Sequence, residues 1–192
     1  VPNTIGVDQA CIVLELADCE LLNLVVDEPL EEDIARDIFL QMISAVAHMH
    51  AHGVVHRDIK LENWLVRGDE IRLCDFGLSH CFESKFPHLL TGWVGSRSYA
   101  APEILAKNSY HGFAIDVWSM MICLFASLHG FFPYQRADLR DWRFKKYFTQ
   151  CKCLTTELYN IYDKECIASS ALCDLTHRVI CVRAADRMSL SQ

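Results

Sequence analysis

A chain of 192 residues has the size of one domain rather than two. Its hydrophobic fraction of 52% and charged fraction of 22% suit a chain that buries a core, and exclude a disordered one. The formal charge of −7 argues against a nucleic-acid partner, whose footprint is a basic excess, and fits an acidic surface that attracts basic substrates.

The opening Val1-Pro2-Asn3-Thr4 lacks the basic start and apolar stretch of a secretory signal. With no initiator Met, the chain reads as a fragment or a processed product. Cys11–Leu16 is a short apolar run suited to a buried strand. Asp27–Asp33 then carries Pro29 and several acids, the signature of a helix start. In the helix that follows, Ile34, Ile38, Met42, Val46 and Met49 fall at spacings of four or three on one face, and Gly53 ends it. Trp64–Val66 and Ile71–Cys74 flank a Gly-Asp turn and read as a β-hairpin.

From Ser79 to Tyr99 the pattern is that of a loop. Beyond it, 104–106, 113–128, 139–148 and 168–182 look helical. The longest apolar run, Val117–Leu128, is shorter than the ~20 residues of a membrane span, so it reads as a buried helix and no membrane partner is expected. The expected architecture is one unit over 1–192, mostly α with a small β-hairpin. Ten cysteines suggest a disulfide framework until their positions are read. Cys74 and Cys123 lie in apolar runs, where free thiols act as small hydrophobes, and only Cys151 and Cys153 stand close together. A reduced, intracellular and cytoplasmic chain is the expectation.

Around the hairpin lie Asp58, Lys60, Asn63 and Asp75, which the fold-back of that hairpin can bring to one end. An amide and a carboxylate are hard oxygen ligands suited to Mg²⁺, which keeps water and phosphate in its shell. A further carboxylate outside that shell could accept a hydroxyl proton.

These residues stand in motifs. His56-Arg57-Asp58-Ile59-Lys60-Leu61-Glu62-Asn63 resembles the catalytic loop of eukaryotic protein kinases, and Asp75-Phe76-Gly77 resembles their metal-binding motif. Ala101-Pro102-Glu103 resembles the close of an activation segment, Asp116-Val117-Trp118-Ser119 the start of the central helix, and Arg187 the late arginine of the C-terminal lobe. The match in order and spacing runs over about residues 11–190. It implies a protein-kinase-like fold, restricted to the hinge strand and C-terminal lobe, because no Gly-x-Gly-x-x-Gly and no Val-Ala-Ile-Lys precedes residue 11.

The resemblance implies roles for single residues. Asp58 would orient the substrate hydroxyl and take its proton, and Lys60 would contact the transferring phosphate. Asn63 and Asp75 would hold Mg²⁺ on ATP. Leu65 would underlie the adenine, with hinge hydrogen bonds from the backbone of Glu15 and Ala17. His56 and Phe76 would stack in a spine anchored through Asp116, and Glu103 with Arg187 would form a buried ion pair. Lys60 favours Ser/Thr over Tyr acceptors. The loop Gly95–Glu103 resembles that of the calcium/calmodulin-dependent and AMP-activated group, with Ser96 beside Asp58 and Glu62 placed to receive a substrate arginine. Arg57 suggests control by an activation-segment phosphate, with Thr91 or Ser84 as acceptor.

The implied function is a protein Ser/Thr kinase acting on a protein substrate with basic neighbours; the rival is an inactive lobe that binds or regulates a partner. Without the glycine loop the 192 residues alone are expected to bind ATP poorly, and apolar surface is expected to be exposed. Some departures stand out. Met121 takes a slot usually filled by Gly, Trp64 follows Asn63 where a smaller aliphatic is common, a Cys19 turn replaces Gly-Gly, and the final helix is missing. His48, His50 and His52 read as helix residues rather than metal ligands. The basic run from Arg136 to Lys146 reads as a solvated helix face.

Overall fold

The computed structural model describes residues 11–83, 88–150, 154–162 and 166–190. The strand expected over Cys11–Leu16 does not form: residues 11–17 have no regular structure, and Ile12, Val13, Leu14 and Leu16 all face solvent. A strand is secured by a neighbour's backbone groups. The described residues offer none to this run. Pairing begins at Asp18, whose N–H donates to the Val66 carbonyl at 2.8 Å.

Three short strands follow from that contact: β1 (Cys19–Glu20), β3 (Trp64–Arg67) and β4 (Glu70–Leu73), antiparallel in the order β1-β3-β4. The predicted hairpin is β3–β4, in register from Trp64 opposite Leu73 to Arg67 opposite Glu70. Gly68, at φ 57°, takes the left-handed conformation that a two-residue hairpin turn favours. Cys19 therefore lies in a strand opposite Val66, not in a turn. A second sheet was not foreseen: β2 (Val54–Val55) pairs with β5 (His80–Cys81), inside the stretch read as loop.

Helix α1 (Leu21–Asp27) also escaped the sequence reading. It has one buried i, i+4 pair, Leu21 and Val25, and no side-chain cap, too little pattern to stand out. Helix α2 (Glu32–Ala51) has its acids in the first turn, as expected, but buries Ala35, Phe39, Met42, Val46 and Met49. Ile34 is largely exposed and Ile38 only partly buried. The reason is angular. Two successive steps of four rotate a residue by about 80° around the helix, whereas alternate steps of four and three stay on one side. The expected face drifts off the core at its N-terminal end.

Helix α4 (Gly112–His129) is the centre of the molecule, and α1, α2 and α7 pack on it. Among the described residues it is the one helix long and apolar enough to cross a membrane, and 89% of that window is buried inside the protein. Met121 sits there without exposure, next to Trp118 and Met120 in the core.

The remaining helices are α3 (Pro102–Leu105), α5 (Trp142–Gln150), α6 (Leu154–Ile161) and α7 (Ser170–Val179). α5 starts at Trp142 rather than 139 because Asp141 accepts from the N–H of Arg143 (3.0 Å), of Phe144 (3.2 Å) and of Gln135 (2.8 Å). That carboxylate caps the helix and closes the loop before it. The basic run is accordingly not one helix face, since Arg136 and Arg140 both lie in the loop, bound to Asp138. α6 was not anticipated. The eight cysteines among the described residues are free thiols, while Cys151 and Cys153 lie outside them.

Candidate active site

Asp116, in the first turns of α4 and 1% exposed, organises one end of the molecule. Its carboxylate accepts the backbone N–H of His56 (2.9 Å) and of Arg57 (2.8 Å), and shares a 2.9 Å hydrogen bond with His50 Nε2. Those bonds hold Arg57 at φ 69°, a left-handed conformation unusual for a residue with a β-carbon. The Arg57 side chain turns back, donating from Nε to the Leu78 carbonyl (2.6 Å) and from Nη2 to that of Ser79 (3.4 Å).

The sharp turn presents Asp58, 8% exposed. Its Oδ1 accepts the Ser96 N–H at 2.8 Å, and its Oδ2 lies 3.0 Å from Lys60 Nζ. The hydrogen bond from Lys60 to Asp58 holds the ammonium above the ordinary lysine range, against partial burial. Asn63 closes a 3₁₀ turn over Leu61–Asn63, and its Nδ2 donates to the Asp58 carbonyl (2.9 Å). The Asn63 carbonyl accepts the Cys74 N–H at 2.9 Å. That bond is where the hairpin returns, so Asp75 follows directly beside Asn63.

Asp75 is itself left-handed at φ 59°, exposed, and accepts the Gly77 N–H on Oδ1 at 3.3 Å. The structure therefore gathers Asp58, Lys60, Asn63 and Asp75 at one end, and the Asp75 charge contributes to the raised Lys60 pKa. The expected ring contact is present, with His56 and Phe76 edge to face at 5.0 Å, and His56 Nε2 hydrogen-bonded to the Cys74 carbonyl at 2.9 Å. Of the nucleotide-side candidates, Leu65 is half-buried opposite Glu20 and Arg72 in the sheet. Glu15 and Ala17 precede β1. The Glu15 side chain is turned onto Arg67 and Arg72 of the hairpin.

Gly95 brings the next layer against this loop. At φ 80°, a β-carbon added there would stand 2.5 Å from the Arg57 carbonyl oxygen. Behind it, the buried Tyr99 hydroxyl donates to Glu62 Oε2 (3.0 Å) and accepts the Leu61 N–H (3.3 Å), and burial pushes its phenol well above the ordinary range. Sequence reasoning singled out Glu62 but missed Tyr99 as its partner, which only tertiary proximity reveals. It also missed the His50–Asp116 bond. Arg187 binds Glu103 at 3.0 and 3.2 Å, donates to the carbonyls of Ala114 and Cys181, and lies over the Trp118 ring.

Thr91 is exposed, while Ser84 lies outside the described residues. The His48 and His52 rings lie 4.4 Å apart, tilted by 41°, and no group of three His, Cys, Asp or Glu among the described residues makes a metal cage. The amide and carboxylate of Asn63 and Asp75 fit a different kind of site. Asn63 spends its N–H on Asp58 and so keeps its side-chain oxygen for a cation, and Asp75 keeps one carboxylate oxygen beyond the Gly77 contact. Two hard oxygens are what Mg²⁺ takes from a protein when a polyphosphate completes its shell.

Comparison with known proteins bears on the family. Residues 6–192 match the family model described as the protein kinase domain. The chain is 45% identical over 111 residues to the serine/threonine-protein kinase kin-29 of Caenorhabditis briggsae, covering 57% of this chain and 13% of that protein. It is 42% identical over 137 residues to the CBL-interacting protein kinase 19 of Oryza sativa subsp. japonica, covering 70% and 27%. To the probable serine/threonine-protein kinase KIN1 homolog of Encephalitozoon cuniculi it is 35% identical over 168 residues, covering 85% and 27%. The chain thus spans less than a third of the length of these relatives. On its motifs, its geometry and these matches, the chain belongs to the protein kinase domain family.

Proposed function

We propose that the protein is a Ser/Thr protein kinase whose C-terminal lobe is built by the described residues, and that Asp58 is the base for the incoming hydroxyl. The observation that carries the reading is the joining of Asp58, Lys60, Asn63 and Asp75 through the Asn63–Asp58 and Cys74–Asn63 hydrogen bonds. In this reading Asn63 and Asp75 would hold Mg²⁺ on ATP, which would supply charge neutralisation at the transferring phosphoryl group. Asp58, fixed by Ser96 and Lys60, orients the acceptor hydroxyl and receives its proton. Lys60, held on Asp58 here, would contact the transferring phosphate. Leu65 would underlie the adenine, and the backbone of Glu15 and Ala17 would supply its hinge hydrogen bonds. Transfer also needs a glycine loop and paired lysine, which the 192-residue sequence does not contain.

Glu62, fixed by Tyr99, supports a protein substrate with a basic residue near its acceptor. The free thiols support an intracellular, cytoplasmic setting. The test is ³²P transfer from Mg·ATP to a basic Ser/Thr peptide library by the full-length protein. Phosphoserine or phosphothreonine is expected, with transfer lost on Asp58→Asn. Phosphotyrosine as the sole product, or turnover that survives Asp58→Asn, would overturn the reading.

A further inference from the structure

The loop 93–97 carries a cation that the chemistry above does not use. Ser96 hydrogen-bonds Asp58 through its backbone, and the next residue, Arg97, is exposed with its guanidinium 6.0 Å from the centre of the Trp93 ring. Trp93 is itself 47% exposed, an uncommon position for an indole unless something covers it. Consecutive Cα atoms lie ~3.8 Å apart, so a peptide presenting its hydroxyl to Asp58 sets a neighbouring side chain within reach of Arg97.

The other cations around Asp58 are engaged: Lys60 with Asp58 itself, and Arg57 with the Leu78 and Ser79 carbonyls. Arg97 has no carboxylate partner among the described residues. Resting on the kinase reading, we propose that Arg97, braced on Trp93, selects substrates with an Asp or Glu within two residues of the acceptor. An indole 6.0 Å away limits the freedom of the guanidinium without using its N–H donors, which stay available to a carboxylate. Glu62 and Arg97 then offer charges of opposite sign to a peptide whose hydroxyl meets Asp58. A substrate with both a basic and an acidic neighbour fits better than a purely basic one.

The experiment uses the full-length protein and peptides with a single Ser acceptor, in which Asp, Ala or Lys is placed in turn at each position from two before to two after it. Both kcat/KM for transfer and peptide affinity by fluorescence anisotropy are read. Wild type should favour one Asp-bearing peptide over its Ala counterpart by about fivefold, expressed in KM, and the preference should shrink at high salt. Arg97→Ala should bring that ratio to about one, Arg97→Lys should keep part of it, and Arg97→Glu should turn the preference towards Lys. Transfer with no acidic preference, or a preference that survives Arg97→Ala, overturns this inference and leaves the kinase reading standing. An acidic preference in affinity with no transfer to any peptide overturns the kinase reading and leaves the role of Arg97 in binding. Neither transfer nor preference overturns both.

Discussion

Two carboxylate–cation pairs use similar chemistry to different ends. In the Arg187–Glu103 pair the arginine side chain is 1% exposed, and its donors are spent on Glu103 and on the Ala114 and Cys181 carbonyls. In the Lys60–Asp58 pair the lysine side chain is 21% exposed and its partner offers one further oxygen to Ser96. The first pair is closed. A buried pair of that kind fixes geometry, because each charge left alone would be stranded in low dielectric. The second is open on the lysine side, so the ammonium can change partners at little desolvation cost. Exposure of one member, rather than the strength of the contact, separates a strut from a working pair.

The sharpest way to break that contrast is Asp58→Asn. It should cut turnover on the order of 10²–10⁴-fold while barely shifting the melting temperature, measured by steady-state transfer and calorimetry. Comparable loss of stability would make this pair a strut as well. Next, Arg187→Ala should cost about 3–5 kcal/mol in urea unfolding by stranding Glu103. Arg187→Met with Glu103→Leu should recover much of that loss. If the double variant is no better than the single one, the pair is not what the contrast requires.

A third effect is set by pH. Burial holds the His129 imidazole at about 4, down from 6.5, and the Glu32 charge offsets only part of this. The unfolded chain therefore takes up the proton first, so stability is full above about pH 6.5 and falls by roughly 3 kcal/mol as the pH drops to about 4. His129→Gln should flatten that slope in urea melts, and an unchanged slope would reject the assignment. The smallest effect belongs to Ser169, which caps α7 by accepting the Leu172 N–H at 3.2 Å and donates its hydroxyl to Glu32 at 2.6 Å. Ser169→Ala should cost about 1 kcal/mol without altering transfer.

The sequence was most legible where chemistry and spacing coincide. The loop around Asp58, the turn at Asp75 and the partnership of Glu103 with Arg187 could each be named from motifs, and the β3–β4 hairpin from Gly68-Asp69. What stayed hidden depends on distant neighbours. β2 and β5 are two residues each and exist only because Val54–Val55 and His80–Cys81 meet across the chain. The Cys11–Leu16 run has a strand's composition and no partner among the described residues, so composition misled. The Tyr99–Glu62 and His50–Asp116 bonds join residues 37 and 66 positions apart, beyond the reach of any local pattern.

Gly95 has no side chain, no charge and no part in proton movement. A methyl group there would nevertheless lie against the Arg57 carbonyl and push the loop carrying Ser96 off the acidic side chain it steadies. A saturation-mutagenesis map of this protein should therefore show intolerance at a chemically silent position, as deep as at the reactive ones. Sensitivity to replacement, taken by itself, marks close contact as readily as catalysis.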